Sequence, residues 1–81
     1  MSREEIFTRL KTIAAAVMTL PATGIREDMS VLQDLGLDSI SIADLSIRVE
    51  SEFGFEFAEA DLQAMNTVGD LLDIIERSHK S

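Results

Sequence analysis

Ser39 is the side chain in this sequence most open to chemistry. It follows Asp38 where a stretch punctuated by proline, glycine, aspartate and serine gives way to a regular apolar run starting at Ile40. A serine at the amino end of a helix lies beside backbone N–H groups that lack intrahelical acceptors and at the positive end of the helix dipole. Its oxygen is therefore a comfortable anchor for a phosphate ester. Gly36 lets the preceding backbone turn tightly, and Leu35 and Leu37 can pin that loop to a core.

The other reactive residue types are scarce. The single histidine is His79, two residues from the end, and cysteine, tyrosine and tryptophan are absent. An enzyme would need a base and a nucleophile in one pocket, and Ser39 has no evident base, so no catalytic residue is assigned. Without cysteine the polypeptide supplies no thiol, and any thioester chemistry must borrow its sulfur. Between Asp28 and Asp38 the acids do not alternate as a calcium loop requires, and no metal ligand set is assigned.

Composition sets the frame. Eighty-one residues, 46% of them hydrophobic, suffice for one small domain spanning 1–81 but not for two cores. No apolar run approaches the roughly 20 residues that span a bilayer, so membrane insertion is not expected. Residues 1–5 carry charges with no apolar segment after them, so no secretion signal or transit peptide is read and a cytoplasmic location is expected; a start at Met1 with no linker at either end gives the expectation of a freestanding protein. Fifteen Asp and Glu against seven Lys and Arg give a net charge of −8. Such a field disfavours nucleic acid as a partner, attracts basic protein surfaces, and also serves plain solubility.

The elements that must position Ser39 follow from periodicity. Ser2 and Glu5 have capping-box form, and Ile6, Leu10, Ile13 and Val17 continue as an amphipathic helix that should stop near Leu20-Pro21. A long, partly packed loop then runs to Leu37, its apolar Ile25, Met29, Val31, Leu32 and Leu35 arguing for order. Asp38 or Ser39 caps a second helix with Ile42, Leu45, Val49 and Phe53 on one face, ended by Gly54. Phe55 to Phe57 reads as an aromatic-anchored loop. Glu59 to Met65 reads as a short helical turn closed by Asn66. Thr67 and Asp70 open a last helix striped by Val68, Leu71, Leu72, Ile74 and Ile75, and residues 79–81 form a frayed polar tail. The expected fold is all-α: a bundle of three main helices plus a short one, with a long loop between the first and second.

The segment Asp34-Leu35-Gly36-Leu37-Asp38-Ser39-Ile40 resembles the phosphopantetheine attachment motif of acyl and peptidyl carrier proteins. Glu50-Ser51-Glu52-Phe53-Gly54 is similar to the end of that family's second helix, and Thr67-Val68-Gly69-Asp70-Leu71-Leu72 to the start of its last one. The resemblance implies a carrier whose Ser39 bears a covalent 4'-phosphopantetheine from coenzyme A, with Asp38, Gly36 and Leu37 around it. It gives Asp38 a second role besides capping, as a carboxylate offered to metal or basic groups of the modifying enzyme. The implied partners are a phosphopantetheinyl transferase and acyl-loading or acyl-processing enzymes of ligase, ketosynthase or acyltransferase type, met by a monomer.

Ile40, Ala43 and Ile47 stand off the Ile42/Leu45/Val49/Phe53 face, so the second helix is apolar over more than half its circumference. By the family likeness Ile40 and Ile47 are exposed and meet partner enzymes, with Ala43 and Asp44 beside them. The alternative is that they pack under the long loop. Asp44, Glu50 and Glu52 supply charge that could steer basic partners, although Ser41, Ser46 and Arg48 depart from the strongly acidic second helix of fatty-acid carriers. The cargo expected is acyl, in a polyketide, fatty-acid-like or other specialised pathway. Aminoacyl or peptidyl cargo, and an unmodified acidic helical adaptor, stand as alternatives.

Overall fold

The computed structural model describes residues 2–18 and 21–79. Helix α1 covers Arg3–Val17, α2 Ser39–Phe53, α3 Glu59–Ala64 and α4 Val68–Ser78, with a single 3₁₀ turn at Ala22–Gly24. This is the all-α arrangement expected, with the long loop between α1 and α2.

Helix α1 starts where the Ser2 hydroxyl accepts the Glu5 N–H at 3.2 Å. It ends at Val17, because Met18 turns extended after donating its N–H to the Ala14 carbonyl. That is earlier than the proline alone suggests; Leu20 itself lies outside the described residues. Ile6, Leu10 and Ala14 form the buried line of α1, an i, i+4 series, while Ile13 and Val17 are only partly buried beside it. Helix α1 packs on both α2 and α4. From α2 come Leu45, Val49 and Phe53, and from α4 Val68, Leu71, Leu72, Ile74 and Ile75, so the apolar stripes of three helices share one core. Each fully buried Leu, Ile or Val contributes about 1.5–3 kcal/mol of transfer free energy. Among the described residues no polar or charged side chain is buried.

The long loop is tied to the start of α4. The Val68 and Gly69 N–H groups, orphans of the first helical turn, donate to the carbonyl oxygens of Met29 at 2.9 Å and Glu27 at 2.8 Å. The Val31 N–H donates in return to the Asn66 carbonyl at 3.0 Å. Thr67 and Asp70 complete the set with a reciprocal capping box. Glycine at 69 keeps this approach open, because a Cβ there would lie 3.3 Å from the Glu27 carbonyl oxygen. Ile25, Val31, Leu35 and Leu37 are buried beneath the loop. Leu32 is not: it is 57% exposed, since residues 30–35 form a tight turn around Ser30 that directs neighbouring side chains to opposite sides.

Past α2, the Phe55 and Phe57 rings meet edge-on with centroids 4.9 Å apart, Phe55 buried and Phe57 half-buried. Helix α3 ends at Ala64, whose carbonyl accepts from the Asn66 side-chain amide at 3.4 Å. His79 is less loose than a tail residue should be, since it is half-buried and its N–H donates to Ile75 at 2.8 Å. Lys80 and Ser81 lie outside the described residues. No helix among the described residues is long and apolar enough to cross a membrane.

Candidate functional site

The junction before α2 is built from two buried anchors and a glycine between them. Leu35 and Leu37 are 8% and 6% exposed, and Gly36 between them has φ +67°, a left-handed conformation that side chains disfavour. The Leu37 N–H closes the turn by donating to the Val31 carbonyl at 3.3 Å. Leu37 therefore supports the site from beneath rather than facing a ligand.

The chain surfaces at Asp38. Asp38 is the N-cap of α2: its Oδ1 accepts the Ser41 N–H at 2.8 Å, and its carbonyl oxygen accepts the Ile42 N–H at 2.9 Å. The backbone hydrogen bond from Ser41, with help from the Ser41 side chain, holds its carboxyl below the usual carboxylate range. The Asp38 side chain is exposed while it caps the helix. Ser39 is the first residue of α2 and is exposed. The Ser39 N–H makes no hydrogen bond among the described residues, and the Ile40 N–H helps that of Ser41 hold the Asp38 carboxyl low, so the positive end of α2 is open at Ser39.

Along α2 the outward stripe is apolar. Ile40 is 81% exposed and Ile47 64%, with Ala43 and Asp44 exposed between them, so neither isoleucine packs under the loop. The acids of the helix are engaged within the chain. Asp44 accepts from Arg48 at 3.1 Å and Glu52 from Arg9 of α1 at 2.9 Å, while half-buried Glu50 accepts the Phe57 N–H at 2.7 Å. Each of these acids thus has a partner within the chain, and Asp44 and Glu52 remain exposed.

A family model described as "Phosphopantetheine attachment site" matches residues 8–75. The chain belongs to the phosphopantetheine-attachment family. It is 43% identical over 76 residues to the acyl carrier protein of Coprothermobacter proteolyticus, covering 94% of this chain and 93% of that one. It is 40% identical to the acyl carrier protein of Thermotoga maritima, covering 94% of each. The solved acyl carrier protein of Enterococcus faecalis superposes with a TM-score of 0.76 at 31% identity, over 93% of this chain and 95% of that one.

Family membership makes the chain a carrier and partner of enzymes rather than an enzyme, with a covalent 4'-phosphopantetheine as its prosthetic group. It implies dealings with a phosphopantetheinyl transferase and with acyl-processing enzymes as a class. The local geometry suits that group: an exposed hydroxyl at an open helix amino terminus can take a phosphodiester without burying its charge.

Several supports of the site have no local sequence signal. Arg3 reaches from α1 to Glu27 of the long loop at 2.6 Å and to Asp73 of α4 at 2.8 Å, and it also pairs with Glu76. The hydrogen bonds to Glu27, then Glu76 and Asp73, raise the guanidinium pKa further. Partners 24 to 73 residues away are invisible to a periodicity argument. The turn at Ser30 did leave a trace. Ser30 Oγ accepts the Gln33 N–H at 3.1 Å and Asp34 Oδ2 the Ser30 N–H at 2.7 Å, a cap announced by serine with glutamine three residues on.

Proposed function

We propose that Ser39 is the attachment point and that the chain is a single carrier domain for acyl groups, working as a monomer in the cytoplasm where coenzyme A is made available to it. The observation that carries the reading is the exposed Ser39 hydroxyl at the first position of α2, held there by the buried Leu35 and Leu37 and flanked by the exposed carboxylate of Asp38. Ser39 Oγ forms the new bond to phosphorus, its proton leaves to the transferase, and the nucleotide part of coenzyme A departs. Asp38 keeps the first turn of α2 closed with Oδ1 and offers its exposed carboxylate to the transferase's metal or basic groups. The bound group supplies the thiol that this cysteine-free chain lacks.

Docking belongs to the stripe of Ile40, Ala43 and Ile47 with Asp44 at its edge. Tethering the cargo raises its effective concentration at whichever ligase, ketosynthase or acyltransferase the stripe engages, so each encounter can be weak and brief. The relatives' name, acyl carrier protein, favours acyl over aminoacyl cargo.

The test is intact mass after incubation with coenzyme A and a broad-specificity phosphopantetheinyl transferase. Wild type should gain the mass of the phosphopantetheinyl group, Ser41→Ala should gain it too, and Ser39→Ala should not. A wild-type protein that stays at its polypeptide mass, with a competent transferase converting a control carrier, would replace this reading with that of an unmodified adaptor.

A further inference from the structure

We infer that Arg3 works as a charge-operated strap, binding the long loop to the start of α4 with a hold that ionic conditions set separately from the hydrophobic core. The inference does not depend on which serine is modified.

Glu27 is the joint of the strap. Its carbonyl oxygen receives the Gly69 N–H at 2.8 Å, while its Oε1 receives Nε and Nη2 of Arg3 at 3.2 and 2.6 Å. Nη1 of Arg3 reaches the other way, to Asp73 at 2.8 Å and to Glu76, both on α4. One planar guanidinium thus joins α1, the loop and α4 with every nitrogen engaged. Alongside runs a short backbone seam. The Val68 N–H donates to Met29, the Val31 N–H to Asn66, and Ser30 and Thr67 pair as an isolated antiparallel bridge. Past Ser30 the loop closes on itself instead, the Asp34 and Leu35 N–H groups both donating to the Ser30 carbonyl. The seam is therefore a unit separate from the turn that leads into α2, and units of this kind open locally at less cost than the whole fold.

The charges decide how firmly it stays shut. The four side chains are between 37% and 67% exposed, so each pair taken singly contributes little. Their sharing of one cation changes the balance. Among the described residues no other cation pairs with Glu27, Asp73 or Glu76, so removal of Arg3 leaves three carboxylates gathered within the span of one guanidinium. Attraction across the seam then becomes repulsion. Salt weakens either one, since the screening length falls from about 10 Å at 0.1 M to about 3 Å at 1 M.

Amide hydrogen exchange, resolved by residue on the full chain, reads the seam through the Val31, Val68 and Gly69 amides and the core through that of Val49. At low salt Arg3→Gln should lower protection of the three seam amides about tenfold and that of Val49 by less than about threefold. Raising the salt to about 1 M should loosen the seam relative to Val49 in wild type and tighten it in Arg3→Gln. Arg3→Lys, which keeps the charge but not the fork, should recover part of the lost protection. Arg9→Gln changes the net charge equally but at the separate pair with Glu52, and it should leave the seam amides as in wild type. A uniform loss over all four amides in Arg3→Gln, or a salt response of the same sign in both proteins, overturns the inference.

Discussion

Replacing Gly36 by alanine tests whether the loop before Ser39 is held in the conformation described. Gly36 has φ +67° and its added Cβ would meet no heavy atom within 4 Å, so the cost is dihedral alone. A left-handed conformation costs an L-residue about 1–2 kcal/mol, while alanine's stiffer unfolded chain returns about 0.4–1 kcal/mol. The net is a loss of about 1 kcal/mol, or roughly 4–8 °C in Tm for a domain of this size. Urea titration followed by far-ultraviolet circular dichroism suits a chain with no tryptophan. Two matched variants isolate the cause. Gly54 has φ +71° and equally open space, so Gly54→Ala should cost the same within a few tenths of a kcal/mol. Gly24 has no positive φ and only an ordinary 3.9 Å contact with Pro21, so Gly24→Ala should be neutral or slightly stabilising. Asparagine, which tolerates the left-handed region, should cost about half as much as alanine at position 36. If Gly36→Ala is as stable as wild type with an unchanged m-value while Gly54→Ala is not, the turn before Ser39 does not adopt this conformation in solution.

Three further expectations concern the frame. Thr67→Ala removes half of the α4 capping box and should cost about 1 kcal/mol by urea titration, with the helix start rather than its end losing amide protection. Leu72→Ala opens a hole at a residue with no exposed surface, where α1 and α4 share the core, and should cost about 2–5 kcal/mol. The Asp70 and Asp38 carboxyls are both held below their ordinary range, mainly by backbone N–H groups, those of Thr67 and Asn66 for Asp70 and that of Ser41 for Asp38. The unfolded chain therefore binds more protons in acid. Their stabilisation is complete above the ordinary value near 3.9 and is lost as pH falls through the lower folded values. The urea midpoint should drop below about pH 4, and Asp70→Asn should flatten that drop.

Much of this was legible because the decisive features are local. Asp38 capping α2, Gly54 closing it, and the Thr67–Asp70 box all lie within three residues of the helix end they define, so the sequence pattern carries them. That one apolar stripe of α2 faces outward followed from its having more apolar residues than one core face can bury, while the choice of Ile40 and Ile47 came from the family likeness. What the pattern could not carry is long-range. Periodicity treats Leu32 like its buried neighbours, and only the turn around Ser30 exposes it. Residue type makes Glu50 and Glu52 look like free charge, and only the fold brings the Phe57 N–H and Arg9 to them. The carbonyl oxygens of Glu27 and Met29 that receive the first amides of α4 belong to a loop with no side-chain signature for that role.

The most direct measurement is fragmentation mass spectrometry of wild-type protein after enzymatic loading from coenzyme A. The peptide between Arg26 and Arg48 holds Ser30, Ser39, Ser41 and Ser46, and the fragment series distinguishes them. The added mass should sit on Ser39 alone. Its appearance on Ser41 or another of these serines, with Ser39 unmodified, would contradict the assignment of the open end of α2 as the attachment site.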